Sequence, residues 1–319
     1  MICPTLSWLG KGGHYQRMAV EAGYVNINVL NKEELIMCWV CEAYGDPEHG
    51  EGKWWLNPKN HSRQMYKVKK LGQKAAAYGS DPEATAGRNV MEIMQTRFED
   101  TEKFQQLVKE ANEMKVKGPF QIGQVIPIQE AFKVVEMSYP VASMSCICRI
   151  HTRAQEERNE HEYSCTGLGV GMFKWERWPE RYKGGVNIMT PDDAKEWLTK
   201  WNKKGMVHIL MTFGGAYVGG ICNCDYPDCG MIRNRVDYNI HTGCLKSHWV
   251  AQINYDECNG CGICVQRCQF GAIKYEVTTE KTNIDQMKCF GCGLCETACP
   301  REAIDLVDRV SLPGLREVW

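Results

Sequence analysis

The chain has 319 residues, of which 44% are hydrophobic and 24% are charged, values typical of a globular protein with two or three domains. Lysine and arginine number 38, aspartate and glutamate number 39, and the formal net charge is −1. A balance this close to zero argues against a general nucleic-acid or anionic-membrane binding surface.

Cysteine is unusually abundant, with 18 residues in the chain. A chain of this length does not need a disulfide scaffold to fold, and its first residues lack the charged and apolar regions of an export signal. No apolar run reaches the roughly 18 residues that a spanning helix needs. We therefore expect a cytoplasmic protein without a transmembrane segment, whose thiols bind metal. Peripheral association with a membrane complex stays compatible with this expectation.

Residues 1–118 are predicted to form a helical, tryptophan-rich N-terminal region. Helices are expected to begin near Asn31 and Asp81, because both residue types cap helices. The second helix reaches Lys117, and the spacing of its apolar residues predicts one core face. That face consists of Met91, Met94, Phe98, Phe104, Leu107, Val108, Ala111 and Met114. Trp54 and Trp55 are predicted to lie in a loop that could serve as a docking patch.

Cys38 and Cys41 form an isolated C-x2-C pair in this region. We favour two packed thiols one helical turn apart. Two other interpretations stay open. The pair could be half of a metal site completed by Cys3, His14 or His49, or a thioredoxin-like redox dithiol.

Residues 119–250 are predicted to form a mixed α/β, cysteine-rich middle module. A helix is expected over 191–204, with Thr190 as its N-cap and Pro191 at its first position. A strand is expected over 206–213, leading through glycines to Cys222. A glycine-rich loop is expected after Cys165, over 166–171.

Six cysteines of the middle module are candidate metal ligands. They are Cys146, Cys148, Cys165, Cys222, Cys224 and Cys229. If the first two lie on an extended segment, both thiols point to one face. A third [4Fe–4S] cluster is the favoured interpretation; structural zinc, another cofactor, or merely buried thiols are the alternatives.

Three polar residues near these cysteines each have two interpretations. Arg149 and His151 could tune a cluster or donate a proton to a bound group, but a surface arginine and a hydrogen-bonded histidine are the favoured interpretation. His208 is expected to be a histidine at the edge of the core rather than a ligand.

Residues 251–319 contain two matching C-x2-C-x2-C-x3-C runs, which begin 31 residues apart. Four thiolates around one compact object suit a [4Fe–4S] cluster, and the fourth cysteine of each run reaches the other cluster in two-cluster proteins. One predicted ligand set is therefore Cys258, Cys261, Cys264 and Cys299. The other is Cys289, Cys292, Cys295 and Cys268. Paired zinc knuckles are the alternative, and the intervening glycines are expected to let the backbone approach the clusters.

These motifs over residues 251–308 resemble a bacterial-type two-cluster ferredoxin domain, which implies a βαβ repeat. Gln269 departs from the family pattern, where proline often follows the fourth cysteine. Residues 118–310 also resemble a family of 4Fe-4S binding proteins from strict anaerobes, through Cys146-Ile-Cys148-Arg149, Cys165 and Cys222-Asn-Cys224. In that family the cysteine run after C-N-C is denser, whereas Asp225, Tyr226 and Pro227 interrupt it here.

The overall expectation is an α+β protein with a helical N-terminal region, a mixed middle module and a C-terminal ferredoxin-like domain. Two, and in the favoured interpretation three, [4Fe–4S] clusters would relay single electrons to a redox partner protein or within a larger anaerobic oxidoreductase. A reductase acting alone, with substrate or an organic cofactor at the middle cysteines, is the alternative. A redox-sensing regulator is a further one. No phosphate-binding loop is present, and no catalytic residue is assigned.

Overall fold

The computed structural model describes residues 38, 40–41, 45–46, 52–62, 96–113, 123–153, 163–169, 172–173, 176, 185–212, 218–241 and 243–319. Outside these residues lie the helix starts predicted at Asn31 and Asp81, together with Cys3, His14 and His49. The described residues form both helices and strands, in agreement with the predicted α+β class.

A seven-stranded sheet lies at the centre of the molecule, with strand order β4-β2-β3-β6-β5-β1-β7. Neighbouring strands are antiparallel except for β1 and β7, which are parallel. The strands are β1 (Gly123–Ile126), β2 (Val141–Met144), β3 (Cys165–Leu168), β4 (Val186–Met189), β5 (Val207–Thr212), β6 (Val218–Cys224) and β7 (Cys244–Leu245).

Helices cover this sheet and connect its strands. They are α1 (Pro58–Ser62), α2 (Thr101–Glu113), α3 (Ile128–Met137), α4 (Ile147–Thr152), α5 (Pro191–Lys203) and α6 (Gly230–Val236). No helix in the described part of the chain has the length and hydrophobicity needed to span a lipid bilayer.

Both faces of β5 are buried, because different parts of the chain cover them. Ile209 and Met211 pack in one hydrophobic cluster with Phe290 of the C-terminal region. Leu210, on the opposite face, packs in another cluster with Trp54 of the N-terminal segment. A strand covered on both sides can be apolar throughout, which explains its continuous hydrophobic sequence.

The predicted helix over 191–204 is confirmed as α5. Thr190 and Asp193 form a reciprocal capping box at its first turn, with Pro191 at the first helical position. The strand predicted over 206–213 is observed as β5.

Three local predictions in these parts of the chain are wrong. Trp54 and Trp55 are fully buried in a short 3-10 helix, so they form part of the core rather than an exposed docking patch. Phe98 is 87% exposed, because it lies in a turn before α2 and not on that helix. The segment after Cys165 continues as β3 to Leu168, so the predicted loop starts too early.

The C-terminal region consists of two strand–helix–strand units. The first contains β8 (Trp249–Ile253), α7 (Ile263–Arg267) and β9 (Ile273–Glu276), and the second contains β10 (Lys281–Ile284), α8 (Leu294–Ala298) and β11 (Ile304–Asp308). The outer strands β8 and β11 pair with each other, as do the inner strands β9 and β10. The two units therefore interlock and place both cysteine runs around a shared core.

Candidate metal centres

Four cysteines of the C-terminal region line one cavity of about 300 Å³. They are Cys258, Cys261, Cys264 and Cys299. Cys258 and Cys261 lie in the turn before α7, Cys264 lies in its first turn, and Cys299 directly follows α8. The Cys261 side chain is exposed, so this cavity reaches the protein surface.

A second cavity of about 340 Å³ is lined by the other four cysteines of this region. They are Cys268, Cys289, Cys292 and Cys295. Cys268 directly follows α7 and crosses to the run that precedes α8. Each cavity thus brings together the four members of one predicted ligand set.

Backbone N–H groups point at the sulfur atoms of both sets. Ala272 N donates to Cys268 Sγ at 3.3 Å, and at the matching position of the repeat Ala303 N donates to Cys299 Sγ at 3.3 Å. Such hydrogen bonds stabilise thiolates that ligate iron and tune the cluster potential. Burial raises the pKa of Cys292 to about 12, so that thiol needs a metal ion in place of its proton to ionise at neutral pH. These features fit [4Fe–4S] clusters.

Glycine is required in the cysteine runs by neighbouring backbone. At Gly291, where φ is +65°, an added Cβ would lie 2.0 Å from the carbonyl oxygen of Trp249. Gly260 has the same relation to the carbonyl oxygen of Glu280, also at 2.0 Å. The protein itself therefore excludes side chains at these positions, independently of any bound cluster.

The six cysteines of the middle module form a closed ring of interacting thiols, which we call the six-cysteine ring. In order around the ring they are Cys146, Cys148, Cys229, Cys224, Cys222 and Cys165. Each thiol shifts the pKa of its two neighbours in the ring. The C-x-C segment is not extended, because Cys146 precedes α4 and Cys148 lies within it. The helical turn, rather than strand alternation, aims these two thiols at the ring.

Hydrogen bonding within the ring favours thiolates at alternate positions. The thiols of Cys148 and Cys165 donate to Cys146 and lower its pKa to about 2. The thiols of Cys165 and Cys224 lower the pKa of Cys222 to about 6. A concentration of thiolate character in a buried ring is the chemistry of a metal-binding site.

Arg149 lies next to the ring and is buried, so the surface interpretation of this residue is wrong. Its guanidinium forms an ion pair with Asp225 and lies 3.6 Å from Asp228. Burial alone would lower the pKa of Arg149, but Cys146 and Asp225 raise it. Asp225, which interrupts the cysteine run in sequence, thus serves as the counter-ion of a buried cation beside the thiols.

Gln269 joins the C-terminal region to the middle module. Its Nε2 donates to Gly205 O at 2.5 Å and to Cys224 O at 3.4 Å, and its Oε1 accepts from Tyr226 N at 2.8 Å. Sequence reasoning identified Gln269 only as a departure from the ferredoxin pattern. The structure shows what the amide does, since a proline here would lose all three hydrogen bonds.

Cys38 and Cys41 lie beside a histidine that the sequence did not associate with them. Cys41 Sγ is 3.3 Å from Cys38 Sγ and 3.3 Å from His248 Nε2, and Cys38 Sγ is 3.8 Å from the same nitrogen. Burial would raise the pKa of Cys38, but hydrogen bonds from Cys41 and His248 bring it well below its ordinary value. Cys41 and His248 are 207 positions apart in the chain, which explains why no local pattern revealed the group.

Two further residues of the middle module, His208 and Cys244, are buried. His208 lies fully inside the core rather than at its edge, with Nδ1 2.7 Å from Asn223 Oδ1. Cys244 is buried in β7, where burial raises its pKa to about 12, as expected for an inert thiol.

Comparison with known proteins gives one partial match. Residues 257–303 match the family described as the 4Fe-4S dicluster domain. A comparison with curated proteins found no match to the chain. The matched segment contains both cysteine runs and supports a ferredoxin-type, iron–sulfur electron-transfer domain in the C-terminal region.

Proposed function

We propose that this protein relays single electrons through three [4Fe–4S] clusters, two in the C-terminal region and one in the six-cysteine ring. A [4Fe–4S] cluster takes up and releases one electron at a time. The match to the dicluster family supports the C-terminal pair. The closed ring of buried and half-buried thiols supports the third site, with four ligands drawn from the six cysteines.

The observation that carries the relay is the contact between the ring and the second C-terminal cavity. Cys224 of the ring and Phe290 beside that cavity belong to one hydrophobic cluster, against which Cys222 and Cys292 also pack. Gln269, adjacent to Cys268, donates to the carbonyl oxygen of Cys224 at 3.4 Å. Two metal sites joined by packed apolar groups and a hydrogen bond are suited to electron transfer without solvent between them.

The exposed end of the relay is the first cavity. Cys261 is exposed there, and Tyr255 and Ile263 nearby are 47% and 39% exposed. Partly apolar surface beside an exposed cysteine suits transient docking of a redox partner. We propose that a redox partner protein, or a larger oxidoreductase complex, exchanges electrons at this surface.

The test is a count of iron, acid-labile sulfide and reducing equivalents in protein purified without oxygen. Three clusters require about twelve irons and twelve sulfides per chain, and about three electrons in a reductive titration. Replacing Cys146, Cys222 and Cys229 together by alanine leaves only three cysteines in the ring, and is expected to lower these values to about eight, eight and two. Cys244→Ala, which removes a buried thiol outside the ring, is the matched control and is expected to leave them unchanged.

Lower iron contents would overturn parts of the proposal. About eight irons in the unaltered protein would overturn the third cluster and leave redox chemistry to residues 251–319. Fewer than eight irons in intact protein would overturn the two-cluster assignment itself.

A further inference from the structure

We propose that Cys38, Cys41 and His248 bind a structural zinc ion that fastens the N-terminal segment to the start of the ferredoxin-type region. This site is separate from the three proposed cluster sites. It uses none of their cysteines, and its function does not depend on electron transfer.

The donor atoms lie within about 0.5 Å of the spacing of a tetrahedral zinc site. With Zn–S near 2.3 Å and Zn–N near 2.05 Å, tetrahedral geometry places two sulfurs about 3.8 Å apart and a sulfur and a nitrogen about 3.6 Å apart. The observed separations are 3.3 Å between Cys38 and Cys41, and 3.3 and 3.8 Å from these thiols to His248 Nε2. All three donor atoms lie within 4.8 Å of one another.

Burial makes an ion necessary if these thiols ionise. Cys38, Cys41 and His248 are 1%, 0% and 5% exposed. Two buried thiolates without a counter-ion would be very costly, whereas a divalent cation neutralises both. Among the common divalent metals, zinc combines strong binding to thiolate and imidazole donors with the absence of redox chemistry.

The surroundings hold the donors in place. Backbone N–H groups of Cys41 and Trp54 donate to the sulfurs of Cys38 and Cys41. The His248 ring lies between Trp55, at 5.3 Å, and Trp319, at 4.9 Å. Outer-shell hydrogen bonds and packing of this kind orient ligands in zinc sites.

Gln124 completes the polar environment of Cys38. Its side chain lies 3.7 Å from Cys38 Sγ. Trp54 Nε1 donates to Gln124 Oε1 at 2.8 Å, while Gln124 Nε2 donates to Lys246 O at 3.1 Å. The amide is therefore fixed from both ends, next to the sulfur it contacts.

The position of the site explains its purpose. Cys38 and Cys41 belong to the N-terminal segment, and His248 immediately precedes β8, whose Trp249 carbonyl packs on the cysteine turn at Gly291. A zinc ion here ties together segments that are remote in sequence and holds the N-terminal segment against the residues that lead into β8.

The experiment measures zinc per chain, with zinc-edge X-ray absorption on the same protein. We expect about one zinc per chain, with two sulfur ligands near 2.3 Å and nitrogen or oxygen ligands near 2.0–2.1 Å. Cys41→Ser and His248→Ala are expected to lower zinc more than fivefold while iron content stays constant. Cys244→Ser and His241→Ala are the matched controls, and His248→Cys is expected to retain zinc.

Several results would overturn the proposal. Zinc-free protein would do so, with or without a disulfide between Cys38 and Cys41. So would zinc bound by four sulfurs, or zinc that is unaffected by the Cys41 and His248 variants. The absorption spectrum of the unaltered protein decides the question even if those variants do not fold. Zinc can be measured even in protein that has lost its iron. Failure of the zinc proposal and failure of the electron-relay proposal are therefore distinguishable.

Discussion

The buried histidine His208 couples the stability of the middle module to pH. His208 on β5 is fully buried, with its two ring nitrogens facing Asn223 and Asn202. Burial lowers the pKa of His208 from 6.5 to about 4, although the hydrogen bond to Asn223 acts in the opposite direction. Between about pH 6.5 and pH 4, the His208 imidazole is therefore neutral in the folded protein but protonated in the unfolded chain.

We predict that acidification destabilises the protein through His208. The unfolded state binds a proton below pH 6.5 and the folded state only below about 4, so stability is complete above this window and decreases as pH falls through it. The loss should reach about 3 kcal/mol. Denaturant unfolding followed by circular dichroism between pH 7 and 4 measures it.

The matched variants for this prediction are His208→Gln and His241→Gln. The first removes the buried titrating group, so its unfolding free energy should depend less on pH than that of the unaltered protein. The second removes a more exposed histidine whose pKa is lowered less than that of His208, so it should change the slope less than His208→Gln does. Equal slopes in all three proteins would refute the role of His208.

At the scale of elements, the turns that carry the cysteines are determined by backbone contacts. Gly291 and Gly271 have nearly the same positive φ, +65° and +64°. Their surroundings differ, because a Cβ at Gly291 would meet the Trp249 carbonyl oxygen at 2.0 Å, whereas nothing lies within 4 Å of one at Gly271. Comparing substitutions at these two glycines therefore distinguishes the cost of a positive φ from the cost of a clash with neighbouring backbone.

We predict unequal costs for alanine at these two turns. Gly271→Ala should lower the free energy of unfolding by about 1 kcal/mol, the cost of a left-handed conformation for an L-residue. Gly291→Ala should cost several times more and reduce iron content, because a carbonyl in β8 cannot move away without disturbing that strand. Urea unfolding and iron analysis of both variants provide the measurement, and similar costs would contradict the steric argument.

At the scale of the whole molecule, a buried ion pair connects three parts of the chain. Lys53 of the N-terminal segment pairs with Glu130 of α3, and both side chains are less than 10% exposed. Trp249 Nε1 of β8 donates to Glu130 Oε1 at 2.9 Å, and the Lys53 ammonium lies 4.9 Å from the Trp249 ring centroid. The N-terminal segment, helix α3 of the middle module and the C-terminal region therefore meet at one buried ion pair.

We predict that Lys53→Met or Glu130→Gln alone destabilises the protein by about 3–5 kcal/mol, because each removes the opposite charge from a buried ion pair. The double variant should cost clearly less than the sum of the two. Lys195→Met removes a partly exposed pair with Glu136 and should cost less than about 1 kcal/mol. A double-mutant cycle by denaturant unfolding checks this, and additive costs would show that the pair is not coupled.

Much of the fold and of the candidate sites was predictable wherever the signal is local. The capping residues of α5 and the apolar run of β5 act over a few residues, and both elements were predicted. The spacing of the C-terminal cysteines likewise predicted which four side chains meet in each cavity, because a short turn places three thiols together and the repeat supplies the fourth.

Contacts between residues far apart in the chain were decided only by the tertiary structure. Local sequence does not show that Trp54 and Trp55 are covered by the sheet, that Asp225 neutralises Arg149, or that Gln269 bonds to the middle module. The meeting of Cys38 and Cys41 with His248 has the same origin. Such contacts arise when whole elements pack, since hydrophobic burial is non-directional and selects partners by shape and position rather than by separation along the chain.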